Sequence, residues 1–125
     1  MLWSVRSANH DRSPATSLPA DFPRRELILE LARRLAEHPA VERIWLFGSR
    51  ARGDQFQRSD IDLAIEAPGM GRYEWLKIAL DFEDEAPTLL SIDLIRLEEA
   101  PEHLRQEIRE EGILLYERAR AQAPV

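Results

Sequence analysis

Cysteine is absent from the 125 residues, which excludes a disulfide scaffold, a zinc–thiolate centre, an iron–sulfur cluster and a cysteine nucleophile. An excess of positive charge is absent too, since 17 Lys and Arg stand against 23 Asp and Glu for a formal net charge of −6. Summed positive charge drives non-specific binding to nucleic acid and to anionic membranes, so neither is expected. No stretch approaches the roughly 18 apolar residues of a membrane span, and the opening MLWSV is too short for the apolar region of a signal peptide. These absences point to a soluble, cytoplasmic chain. A single domain of this length buries roughly two thirds of its unfolded surface and needs no disulfide or structural metal.

Along the chain, residues 1–20 hold Ser, Pro, Thr, Asn and Ala without apolar periodicity and read as a flexible N-terminal tail. Residues 21–120 read as one domain. Asp21 is a candidate N-cap, and Leu27, Leu31 and Leu35 share one face of a helix over 23–38. Strands are predicted over 41–47 (VERIWLF), 60–66 (DIDLAIE), 89–97 (LLSIDLIRL) and 113–116. Between them, Tyr73, Leu76 and Leu80 mark a helix over 72–85, and Leu104 and Ile108 mark another over 98–111, stopped by Gly112. Helices alternating with strands too apolar for one-sided burial give an α/β (α+β) domain.

Two short segments carry the chemistry. At Gly48-Ser49-Arg50-Ala51-Arg52 a strand ends on glycine and a short helix begins, so free backbone N–H groups, a hydroxyl and two arginines converge. Gly48 permits close approach of a phosphate, which makes Gly48, Ser49, Arg50 and Arg52 the candidate phosphate-binding residues. Ten residues later, Asp60 and Asp62 lie two apart on a strand and project from one face, while Ile61, Leu63 and Ile65 point into the core. Paired carboxylates attract hard cations, and Mg²⁺ is commonly held by one or two of them together with substrate phosphates. Asp93, mid-strand between Ile92 and Leu94, is costly to bury without a partner and supplies a third carboxylate if its strand neighbours that of Asp60. Asp60, Asp62 and Asp93 are thus the candidate catalytic and metal-holding residues. Such a cluster can carry two metals in phosphoryl transfer.

Gly48-Ser49, ten intervening residues, Asp60-x-Asp62 and the later strand aspartate Asp93 resemble the signature of the DNA polymerase β-like nucleotidyltransferase superfamily. The wording GSRARGD…SDIDLAIE and the ending EGILLYE look most like its minimal (MNT) branch, and the resemblance covers about residues 25–118. It implies a mixed sheet of about four strands with helices packed on it, a nucleotide site at Gly48, Ser49, Arg50 and Arg52 with Ser49 on the phosphates, and Asp60 and Asp62 on the metals, two Mg²⁺ ions. Asp93 would complete the site and help activate an acceptor hydroxyl. It also implies ATP as donor of AMP, a HEPN-domain toxin as partner, and a tyrosine of that toxin as acceptor, the chain serving as antitoxin. A second reading is an antitoxin that blocks its partner by occlusion without catalysis. A third is a small-molecule nucleotidyltransferase, held back by the lack of an acceptor domain.

Blander readings apply elsewhere. Asp54 and Glu66 sit where solvent exposure is expected, Asp81 to Glu85 read as a solvated acidic run, and Trp45, Trp75 and Tyr73 read as core. His10, His38 and His103 are isolated from any carboxylate pattern.

Overall fold

A computed structural model describes residues 16–52, 60–85 and 91–119. Helix α1 (Arg25–Ala36) leads into strand β1 (Arg43–Phe47), the one-turn helix α2 (Ser49–Arg52) and strand β2 (Ile61–Glu66). Helix α3 (Arg72–Glu85) and strand β3 (Ile92–Arg96) follow, then a 3₁₀ turn (Leu97–Glu99), helix α4 (Glu102–Glu111) and strand β4 (Ile113–Glu117). The strands form one mixed sheet in the order β3-β2-β1-β4. β1 runs antiparallel to both β2 and β4, and β2 runs parallel to β3 with α3 as the crossover a parallel pair requires.

Both faces of the sheet are covered. Ile44 and Leu46 of β1 and Ile61, Leu63 and Ile65 of β2 pack with Ile28, Leu31 and Leu35 of α1 and with Trp75 and Phe82 of α3. Ala64 points to the other face, where Leu97 and Ile108 cover it with Trp45, Phe47 and Leu104 alongside. The strand alternation therefore sends Asp62, Ala64 and Glu66 to the α4 side.

Several expectations are corrected. The first helix starts at Arg25, not behind an Asp21 cap: Arg24 occupies the N-cap in the left-handed region (φ 62°), and its carbonyl accepts the Ile28 N–H. The helix expected over 98–111 is two pieces. Pro101 holds Ala100 extended (φ −77°, ψ 152°), because the proline ring disfavours helical geometry in the residue before it. Gly112 stops α4 by close approach rather than by left-handed backbone, since a β-carbon there would lie 2.5 Å from the Ile108 carbonyl oxygen and 3.1 Å from that of Leu46.

Tyr73, expected in the core, is 79% exposed, with Leu76 and Leu80 beside it on the outer face of α3. The helix is apolar on two faces, and Trp75, Ile78 and Phe82 take the inner one. Glu66, expected in solvent, accepts from Arg43 at 3.0 Å. Of the tail expected over 1–20, residues 1–15 lie outside the described residues, whereas residues 16–18 are tied down. Ser17 N–H and the Thr16 hydroxyl both donate to the Leu114 carbonyl, and Leu18 is buried.

Candidate active site

The candidate residues meet at one end of the sheet. Because β1 and β2 are antiparallel, the end of β1 lies beside the start of β2, and Phe47 pairs with Asp62. The parallel register then sets Asp62 directly against Asp93. One strand order thus brings Gly48, Asp62 and Asp93 into a row, and Asp60 precedes β2 at the same end. Gly48 has φ 81°, and a β-carbon on it would come within 2.3 Å of Asp62 Oδ2. Only a residue without a side chain leaves that carboxylate its place. Ser49 opens α2, half-buried at the turn.

Asp62 is the perturbed group. Its carboxyl is pushed up from 3.8 to about 6, first by burial, then by the negative charges of Asp93 and Asp60 and by a hydrogen bond with Asp93, while Arg50 pulls the other way. Burial and neighbouring negative charge both disfavour the ionised form, so the Asp62 carboxyl keeps its proton to a higher pH than a free one. Asp60 and Asp93 are exposed.

Arg50 is fully buried, and its Nε donates to the Asp60 carbonyl at 3.3 Å. Its guanidinium therefore lies beneath the carboxylates, holding the entry to β2, rather than out in solvent. Burial lowers its pKa first, and the positive charge of Arg24 lowers it further, while Asp60 and Asp62 raise it. That coupling exposes a residue the sequence reading passed over: Arg24, exposed at the start of α1, belongs to the electrostatics of this site. Its only sequence signal was a basic residue after Pro23. Arg52 closes α2, and its side chain lies outside the described set, as do Gly53 and Asp54.

Among the described residues, no group of three His, Cys, Asp or Glu side chains stands ready to hold a metal ion. The arrangement is instead a contacting pair, Asp62 and Asp93, with Asp60 in Coulombic reach. A hard cation suits that donor set, since it would relieve the repulsion that raises Asp62 and would take its remaining ligands from phosphate oxygens.

Residues 30–121 match the model of the family described as polymerase beta, nucleotidyltransferase. The chain belongs to that nucleotidyltransferase family. No curated protein matches it. Among solved structures it is similar to a chain of a toxin–antitoxin bound to AMP-PNP, with 27% identity, a TM-score of 0.56, and 77% of this chain and 75% of that one covered. A mutant of an MntA toxin–antitoxin complex follows at 26% identity and TM-score 0.54, covering 78% and 75%. A complex of tri-AMPylated HEPN toxin with MNT antitoxin from Shewanella oneidensis shares the fold at 24% identity and TM-score 0.50, covering 74% and 69%. The nucleotidyltransferase fold and the likeness to MNT-type antitoxins match what GSRARGD…DID implied. Among the described residues no helix is long and apolar enough to cross a membrane.

Proposed function

We propose that this nucleotidyltransferase-family chain is a cytoplasmic antitoxin that transfers AMP from ATP to a hydroxyl of a partner HEPN-type toxin, a tyrosine by the family resemblance. The observation that carries the reading is the row Gly48–Asp62–Asp93 at the sheet end, where burial first, and then the crowding charges of Asp93 and Asp60, push the Asp62 carboxyl up to about 6. Such crowding is costly in a protein that only binds, and it suits one that handles a cation and a polyphosphate. The AMP-PNP in a similar toxin–antitoxin supports a nucleoside triphosphate as donor.

In this reading the Gly48–Ser49 turn presents backbone N–H groups and the Ser49 hydroxyl to the phosphates, and Arg52 and Arg24 add positive charge around them. Arg50 acts through Asp60, fixing the start of β2 from below. Asp60, Asp62 and Asp93 would hold one or two Mg²⁺ ions, which supply charge neutralisation on the triphosphate when bound. The acceptor oxygen attacks the α-phosphorus, its proton passes to Asp93, the bond to the β-phosphate breaks, and pyrophosphate leaves.

The test is intact-mass measurement of the co-purified toxin after incubation with ATP and Mg²⁺. One added AMP per modified hydroxyl is expected, abolished in Asp60→Asn. A toxin silenced without added mass, and silenced equally by Asp60→Asn, would establish the occluding antitoxin instead.

A further inference from the structure

The outer face of α3 stands apart from the nucleotide site. Tyr73, Leu76 and Leu80 are 79%, 51% and 64% exposed, and their spacing puts them on one stripe. The opposite face of the helix is spent on the core through Trp75, Ile78 and Phe82. Asp62 projects toward the α4 side of the sheet, so whatever covers the stripe leaves the carboxylates open.

The charges along the helix say what would cover it. Arg72 opens α3, and Asp84 lies in the last turn, which contains no basic residue. Both signs oppose the helix's own dipole, positive at its start and negative at its end. An antiparallel neighbour reverses this, because Arg72 of one copy then lies by the negative end of the other. With residue 78 as the crossing level, Arg72 falls opposite Asp84 of the partner subunit and Leu76 opposite the partner's Leu80, twice over by symmetry. The pairing closes as an isologous twofold. Glu74 is not available to compete, since it accepts from the Gly71 N–H at 2.9 Å, and Lys77 is held to Asp81 at 3.2 Å.

We infer that the Tyr73–Leu76–Leu80 face is a self-association surface, on which two copies of this chain pair through antiparallel α3 helices. This stands independently of the nucleotidyl-transfer reading. A 14-residue helix is about 21 Å long, and one such helix per copy falls short of the roughly 800 Å² per partner of a standard interface. The dimer is therefore weak and concentration-dependent.

Sedimentation equilibrium of the full chain from about 1 µM to 1 mM tests it. The weight-average mass should climb from 14.5 kDa toward twice that value. Leu76→Glu should raise the dissociation constant at least tenfold, with an unchanged circular dichroism spectrum because the side chain already faces solvent. Should that variant unfold, the charge pair carries the test. Arg72→Glu and Asp84→Arg should each weaken the dimer several-fold, and the double variant should restore it, which a parallel pairing would not do. A monomer at every concentration overturns the proposal and leaves the stripe to another protein. A dimer indifferent to both the apolar and the charge variants overturns it equally.

Discussion

Asp62 fills the space that a side chain on Gly48 would take: an ideal β-carbon there comes within 2.3 Å of its Oδ2 and 3.2 Å of its Cγ. The glycine is fixed twice, by this contact and by its φ of 81°. Gly48→Ala should therefore cost about 1–3 kcal/mol and displace the Asp62 carboxylate. Urea denaturation should show the loss, and nucleotidyl transfer should fall by more than the folded fraction does. Transfer that tracks the folded fraction alone would mean that the Gly48–Asp62 contact is only structural.

The raised Asp62 carboxyl makes metal-free stability depend on pH. The folded state holds the proton up to about pH 6, and the unfolded chain releases it near 3.8. The native state thus binds more protons across this window, and stability falls as pH rises from about 4 to about 6. Solvent screening at a half-buried carboxyl reduces the effect to on the order of 1 kcal/mol. Melting measured in chelator should show the fall, and Asp62→Asn should flatten it and melt higher at neutral pH. Equal slopes in both proteins would refute the assignment to Asp62.

Arg24 offers a way to separate stability from ligand binding. Its left-handed backbone costs a residue with a β-carbon roughly 1–2 kcal/mol, and glycine is a good N-cap. Arg24→Gly should raise stability by about 0.5–1 kcal/mol, after the extra entropy of glycine in the unfolded chain. If the exposed guanidinium serves the phosphates, ATP affinity measured by calorimetry should fall several-fold in that stabler protein. Unchanged affinity would remove Arg24 from the binding role.

The parts of the site legible in sequence are those that strand alternation fixes. Asp60-Ile61-Asp62 announces which side chains leave the core, and Gly48 announces a backbone that something must approach closely. Sequence could not say that the approaching group would be Asp62 itself, because that depends on how β1 and β2 pair. Arg50 and Arg52 look alike as letters, yet α2 turns Arg50 inward until it is fully buried. In α3 two apolar stripes compete for the core. Helical periodicity identifies both and ranks neither, so only tertiary packing tells Trp75 and Phe82 from Tyr73 and Leu80. Asp21 failed as a cap because a left-handed residue at Arg24 sets the start of α1, and left-handed arginine carries no local sequence signature.

Two arginines that resemble each other on paper should differ in worth. Arg96 is 10% exposed; it donates to the carbonyls of Ala67 and Met70 and lies 3.5 Å from Glu98 and 3.6 Å from Glu99. Glu98 in turn accepts the Ala67 N–H at 3.0 Å, so the pair ties the end of β2 and the turn into α3 onto the end of β3. Arg43 is 36% exposed and pairs with Glu66 and Glu117 on the sheet surface. Arg96→Met would strand the carbonyls of the buried Ala67 and Met70, costing about 2–4 kcal/mol, because unmade bonds to buried groups keep their desolvation penalty. Arg43→Met leaves the exposed Glu117 to water, while the largely buried Glu66 keeps Arg109 at 3.7 Å and the Trp45 Nε1–H at 3.5 Å, so the cost should be smaller, about 1–2 kcal/mol. Midpoints of urea denaturation at unchanged slope compare the two directly. The tie sits at the far end of the β2–β3 pair whose register sets Asp62 against Asp93, so Arg96→Met should also lower transfer activity that Arg43→Met retains. Equal midpoints for the two variants would show that water, not Arg96, satisfies the turn.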